Sequence, residues 1–271
     1  DLHSFPTRRS SDLHIALTYG LVLNPTFLRD FSLTVDRFQL EVEGFINTFG
    51  RQSIANSCYD TADRQFCDLI ERGTHPAVSG ATYVLNGIDD TVGNLSTYDI
   101  RGYDVEARYA FDLSRAFSAE SQLGKIGLQA LMTVYDRAEQ VARPGAATLD
   151  LLGFAGGSTS DQGYLKRQGV FNIDYRRSNV GASWQMRYIG RTGMTPLDPA
   201  YPEVGSHVYH NMRASLGFGD SSEVYLGVTN VFDKQPPFFA TSTSGTQALD
   251  TIPGFYDVFG RSYYGGVKVK F

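Results

Sequence analysis

Four groups of residues in this chain have side chains that could do chemistry. Cys58 and Cys67 are its 2 cysteines and lie in one polar stretch; their spacing fits neither a zinc ribbon nor a Cys-x-x-Cys redox pair. If that stretch faces an oxidising exterior, a disulfide pinning a loop is the reading, and two free thiols are the alternative. His207 and His210 invite metal ligation, but on a strand their odd offset puts them on opposite faces. Polar positions at a strand end account for them equally well. Asp104, Glu106, Arg108, Asp174, Arg187, Arg213, Glu223 and Lys268 include the carboxylates and cations that acid–base catalysis uses. No nucleophile elbow, phosphate-binding loop or dinucleotide fingerprint accompanies them, and mixed charge lining a hydrated lumen explains them without catalysis. Phe238, Phe239, Phe255 and Tyr256 fall in a long spacer, where binding residues concentrate. Ligand contact, loop packing and an interfacial belt all remain open for them. No pattern calls for a cofactor.

The elements that position these residues are strands. From His14 onward, segments of about ten residues alternate apolar and polar side chains, the period of a strand with one face in an apolar medium. Ile15, Leu17, Tyr19, Leu21 and Leu23 share one face of the first, which ends at Asn24-Pro25 because proline cannot donate to a ladder. The second carries Phe31, Leu33 and Val35, then Phe38, Leu40 and Val42; this change of phase predicts a bulge near Asp36-Arg37. A long polar spacer follows over 47–93. Later segments set Tyr103, Val105, Ala107 and Tyr109 against Asp104, Glu106 and Arg108. Ile126 to Val134 form the next, followed by one in which Phe171 and Ile173 oppose Asn172 and Asp174. Val180, Ala182, Trp184, Met186 and Tyr188 then oppose Ser183, Gln185 and Arg187; Val208, Met212, Ala214, Leu216 and Phe218 oppose Tyr209, Asn211, Arg213 and Ser215. Val224, Leu226 and Val228 oppose Glu223, Tyr225 and Thr229, and the last segment ends on Val267, Val269 and Phe271.

The links between segments alternate short and long, as in outer-membrane barrels with short periplasmic turns and long extracellular loops. Composition agrees: 16 Tyr and 18 Phe against 1 Trp, with 28 Gly, suit many strands, sharp turns and aromatic girdles. No run reaches the roughly 18 apolar residues of a membrane helix. A formal charge of −5 without a basic cluster argues against nucleic acid as a partner. Residues 1–13 carry two arginines but neither an apolar core nor a cleavage site, so they are no signal peptide. They look like a translated sequencing-adaptor tail, which leaves 14–271 as the barrel segment.

Val228-Thr-Asn-Val-Phe-Asp-Lys-Gln-Pro-Pro237, then Tyr256-Asp-Val-Phe-Gly-Arg-Ser-Tyr-Tyr264 and the terminal strand, resemble the carboxy-terminal end of TonB-dependent outer-membrane receptors. Asn230, Phe232, Asp233, Pro236, Asp257, Gly260 and Arg261 occupy the family's motif positions. Further upstream, Ser32 to Phe38, Cys58-Tyr59, Phe66-Cys67 and Gly102 to Tyr109 resemble the mid-barrel of the larger members. Tyr264, Gly266, Val269 and Phe271 fit the family's assembly signal, a final strand recognised by strand addition.

The resemblance implies an all-β, antiparallel transmembrane β-barrel of about 22 strands around a plug. This chain would supply about nine carboxy-terminal strands of it and no plug. It implies a bacterial outer-membrane location and TonB-dependent uptake of a scarce substrate of the ferric siderophore, vitamin B12 or oligosaccharide class, with no enzymatic step. The implied partners are outer-membrane lipid, the TonB complex acting through the plug, the barrel assembly machinery and an extracellular small-molecule or oligosaccharide ligand. A passive porin would share the strand pattern. A soluble β-rich carbohydrate-binding protein would need its apolar faces covered by a second sheet.

Overall fold

The computed structural model describes residues 13–60, 64, 66–74, 84–90, 92–118, 120–142, 146–155, 163–194, 203–219, 221–238 and 251–269. Residues 1–12, which fall in the segment expected to be an adaptor tail, Phe239 and Phe271 lie outside them. The strands are β1 (Leu13–Leu23), β2 (Phe31–Thr48), β3 (Ile70–Gly73), β4 (Val84–Ile88), β5 (Val92–Asp112), β6 (Lys125–Val141) and β7 (Thr148–Asp150). They continue with β8 (Arg167–Arg177), β9 (Val180–Ile189), β10 (His207–Phe218), β11 (Ser222–Thr229) and β12 (Ser262–Val269). Helices α1 (Arg51–Asp60) and α2 (Leu113–Ala116) and a 3-10 turn at Cys67–Leu69 complete the elements. One sheet runs β1-β2-β5-β6-β8-β9-β10-β11-β12, with β7 attached to β6; β3 and β4 pair separately.

The chain divides into two compact units, and the boundaries fall inside strands β1, β2, β5, β6 and β7. Strands β2, β5 and β6 are the long ones, with 18, 21 and 17 residues, against the about 9–11 that a tilted strand needs to cross a bilayer. The first unit takes in Leu40–Asp99 and Glu139–Leu149. Here the polar spacer expected at 47–93 is a small folded body. Gly50 turns into α1 with a positive φ of 79° while its N–H donates to Asp90 Oδ1 at 3.0 Å. Ile54, Cys58, Phe66 and Ile70 are buried together, with Phe49 packed edge-on to Phe66 at 5.0 Å. Cys58 and Cys67 are disulfide-bonded, which joins α1 to the 3-10 turn. The hairpin β3–β4 pairs Ile70 with Ile88. So few apolar residues, spaced irregularly between polar ones, show no strand or helix period in sequence. A short disulfide-closed body can hold with a core that small.

The second unit contains Leu17–Gln39, Ile100–Ala138 and Asp150–Phe271. Its short links fall where the sequence puts them. Asp30, Ser178 and Gly219 take positive φ in the turns β1–β2, β8–β9 and β10–β11. At β5–β6, the Asp112 side chain caps α2 by accepting the Ser114 N–H at 2.9 Å.

The change of phase expected near Asp36-Arg37 does not occur. Phe38 packs edge-on against Tyr135 at 5.5 Å and lies over Gly102, on the face that carries Asp104 and Thr133. Arg37 takes the opposite face, where it pairs with Asp136 at 2.6 Å and lies 4.5 Å from the Tyr103 ring centre. The aromatic ring follows the bare surface of a glycine rather than the apolar face. The irregularity in β2 comes later, at Gly44, whose φ is 66° and whose carbonyl accepts from Asn94 Nδ2 at 2.7 Å.

Candidate functional site: the polar face of the sheet

Alternation gives the sheet of the second unit one apolar and one polar face. On the apolar face large side chains are exposed: Leu226 is 68% and Tyr263 73% exposed, and Met212, Leu216, Val224 and Val267 are exposed beside them. The polar face is organised by hydrogen bonds across strands. Register places Gln129 opposite Asn172, Asn172 opposite Gln185, and Gln185 opposite Asn211. Their amides form a chain with one direction. Asn211 Nδ2 donates to Gln185 Oε1 at 3.0 Å, Gln185 Nε2 to Asn172 Oδ1 at 3.1 Å, and Asn172 Nδ2 to Gln129 Oε1 at 3.2 Å. Gln129 Nε2 donates to Glu106 Oε1 at 2.6 Å, and Arg108 Nε donates to the same oxygen. At the other end, Asn211 Oδ1 accepts the Asn230 backbone N–H at 2.9 Å. Six segments of chain are thus linked from a backbone amide to a carboxylate.

The charged residues of this face find partners or neighbours in separate rows. Thr133 donates to Asp104 at 2.6 Å, and Arg213 pairs with Glu223 at 2.8 Å while lying over the Tyr225 ring. Lys268 stands opposite Glu223, and Asp174 opposite Ser183. Arg187 donates to the Phe255 carbonyl at 3.1 Å and lies 5.1 Å from the Tyr209 ring centre. No two of the carboxylates are brought together as an acid–base pair, and among the described residues no group of His, Cys, Asp and Glu is arranged to hold a metal. His207 and His210 separate as their offset requires. His207 packs edge-on to Tyr256 at 5.3 Å; His210 stacks on Trp184, accepts its Nε1–H at Nδ1 at 3.2 Å, and meets the edge of Phe232.

The carboxy-terminal motif is a latch. Asn230 is 1% exposed with φ 48°, a conformation asparagine tolerates better than most residues. Its side chain accepts the Lys234 N–H at 2.8 Å and donates to the Lys234 carbonyl at 3.0 Å, closing the turn on itself. Asp233 Oδ1 accepts the Arg261 N–H at 2.9 Å, which ties the end of β11 to the start of β12. Gly260 has φ 72°, and a Cβ there would sit 2.9 Å from that same Oδ1, so both dihedral and space call for glycine. Asp257 Oδ1 accepts the Phe259 N–H in an Asx turn. Phe232 projects from the turn onto His210, and Pro236 continues the chain beyond Lys234 in irregular backbone. On β12, the Tyr264 ring lies across Gly227 and the Tyr225 ring against Gly266, a cross-strand covering of glycine by aromatic rings. Val269 pairs with Ser222.

The aromatic residues of the last loop part company. Tyr256 is 2% exposed, in one cluster with Leu165, Ile189 and Tyr209, and Phe255 packs against that cluster. The Tyr256 hydroxyl donates to Thr192 Oγ1 at 3.2 Å, and burial pushes its pKa above that of an ordinary tyrosine. For these two the loop-packing alternative describes the geometry. Phe238 is 70% exposed.

The amide chain was not visible as a unit in the sequence. Asn172, Gln185 and Asn211 are recognisable there as polar alternates, but only the cross-strand register aligns them with each other and with Gln129.

No protein-family model matches the sequence, and no curated protein matches it. Solved structures do. A variant of the ferric enterobactin receptor PfeA from Pseudomonas aeruginosa, in complex with enterobactin, aligns over 96% of this chain and 32% of its own at 10% identity, with TM-score 0.57. The siderophore receptor PirA from Acinetobacter baumannii aligns over 96% and 32% at 14% identity and TM-score 0.53. The FrpB iron transporter from Neisseria meningitidis aligns over 96% and 31% at 14% identity and TM-score 0.53. This chain spans about a third of the length of these proteins. Its fold is that of a segment of an antiparallel transmembrane β-barrel.

Proposed function

We propose that this chain forms part of the barrel wall of a TonB-dependent receptor in the bacterial outer membrane, which takes up a scarce substrate of the ferric siderophore, vitamin B12 or oligosaccharide class. The observation that carries the reading is the likeness of 96% of the chain to receptors described as binding or transporting iron and siderophores. The latch of Asn230, Asp233, Gly260 and Arg261 supports it, because these residues stand where the family's motif does. In that reading the apolar face meets lipid and the polar face lines the lumen. The disulfide-closed body around Cys58 and Cys67 belongs to the exterior, where disulfides persist. Substrate binds from outside, and TonB, energised by the inner-membrane proton gradient, remodels a plug supplied by the rest of the receptor. The barrel assembly machinery recognises the final strand through Tyr264, Gly266, Val269 and Phe271. Binding and passage complete the cycle without a covalent step.

Uptake by the complete receptor in cells with and without TonB tests this. Accumulation of the substrate above its external level is expected in the first and its loss in the second. Equal uptake in both would replace the reading with passive diffusion through a porin.

A further inference from the structure

The geometry points to a binding shelf for neutral, hydroxyl-rich solutes, formed on the polar face by Gln129, Asn172, Gln185 and Asn211. This inference rests on the reading above that the polar face lines the lumen.

Each of the four amides has two N–H donors and a carbonyl with two lone pairs. The one-directional chain uses one donor and one lone pair of each. One donor and one acceptor per residue are therefore left for a ligand. All four side chains are half-buried, so they are held in place yet remain accessible. The fixed direction also decides which end of each amide is nitrogen, so the row offers its ligand a constant order of donor and acceptor. The step from residue to residue is the strand spacing of about 4.8 Å. A hexose ring in a linear oligosaccharide advances by a similar length and presents hydroxyls that donate and accept at once. An extended peptide advances by about 3.3 Å per residue and falls out of step after one or two strands.

Charge separates this row from its neighbours. Its single ionised member is Glu106 at one end, and Arg108 offsets that charge. Two residues along the strands on one side the face carries Leu131, Val170, Arg187 and Tyr209, and on the other Gly127, Asp174, Ser183 and Arg213, the last paired with Glu223. Solvating a lumen needs only polar groups of any kind, and each adjacent row mixes a charged residue with apolar or small ones. Four consecutive amides suit a ligand without charge. One strand beyond Asn211 and two residues along, Gly227 pairs with Arg213 and is covered by the Tyr264 ring, which is 43% exposed. An aromatic face beside a row of amides provides for both sides of a sugar ring, its C–H face and its hydroxyls.

The test uses the complete receptor in detergent, titrated calorimetrically with maltohexaose, cellohexaose and xylohexaose, and with hexagalacturonate as the charged counterpart. At least one neutral hexasaccharide is expected to bind, and more tightly than hexagalacturonate. Gln185→Met and Asn172→Leu are each expected to weaken that binding about tenfold, the equivalent of one or two hydrogen bonds. Heat-modifiable migration reports whether each variant is folded. If either is not, Asn172→Asp keeps the acceptor, introduces a charge into the row, and is expected to weaken binding of the neutral probe in the same way. Absence of binding by all three neutral probes, or unchanged affinity in the folded variants, overturns the shelf. Binding is measured without TonB, so loss of TonB dependence with intact hexasaccharide binding counts against the uptake reading alone. TonB-dependent uptake of another solute with no hexasaccharide binding counts against the shelf alone.

Discussion

The two faces of strands β8 to β11 share one backbone and are held by different physics. On the apolar face Met212, Leu216, Val224 and Leu226 gain chiefly from an apolar medium, a contribution without direction that depends on area. On the polar face Asn172, Gln185 and Asn211 meet across strands through bonds that form only at one alignment. The apolar face therefore determines where the sheet can reside, and the polar face determines how its strands pair. A slip of one residue would turn every side chain to the wrong face. A slip of two would keep each side chain on its face but break the amide chain and set Asn211 opposite Arg187 or Ser183. The ladder removes the second error, which hydrophobic alternation alone leaves open.

A charge on each face gives the largest contrast. Leu226→Arg on the apolar face is expected to lower stability by about 2–4 kcal/mol near the bilayer midplane, whereas Ser215→Arg on the polar face should stay within about 0.5 kcal/mol. Denaturant titration in lipid vesicles, read by heat-modifiable migration, compares them; equal costs would break the distinction between the faces.

Next comes the latch where the ladder ends. Asn230→Ala removes the two side-chain bonds to Lys234 and leaves a non-glycine residue at φ 48°. A loss of about 2–3 kcal/mol is expected in the same assay, with Asn230→Gly recovering part of it through its tolerance of positive φ. If alanine and glycine behave alike, backbone strain has no share in the effect.

The smallest effect lies in the loop cluster. Tyr256→Phe loses the bond to Thr192 and should cost about 1 kcal/mol. Burial raises the Tyr256 pKa in the folded protein, so the folded state holds the phenolic proton more tightly than the unfolded chain. The associated stability is complete below about pH 10 and is lost as pH rises through the folded value. The Phe variant should therefore show a shallower loss of stability above pH 10 than the parent, and an identical alkaline profile would remove Tyr256 from that account.

Much of the fold was legible in sequence, for reasons that also mark the limit. Alternation is a local property, so the positions of β1, β8, β9, β10, β11 and β12 and the short turns between neighbours followed from it. Phe38 misled because an aromatic residue following three apolar alternates suggests a shifted phase, while its partners, Tyr135 and Gly102, lie on strands distant in sequence. The body around Cys58 read as a spacer because its core is Ile54, Cys58, Phe66 and Ile70, too sparse for any period. The motif residues Asn230, Asp233, Gly260 and Arg261 were found by resemblance, and their geometry gives each a structural task. The ladder stayed hidden because register belongs to pairs of strands and not to any one of them.

The central claim is that the face carrying Val224, Leu226 and Val228 meets lipid while the face carrying Glu223, Tyr225 and Gly227 meets water. Spin labels placed singly at each position of β11 in the complete receptor, reconstituted in lipid, measure this through relaxation by oxygen and by a water-soluble nickel chelate. The account predicts period-two alternation, with oxygen dominant at 224, 226 and 228 and nickel dominant at 223, 225 and 229, while position 227 is covered by the Tyr264 ring. Nickel access at every position, or the same balance on both faces, would contradict it.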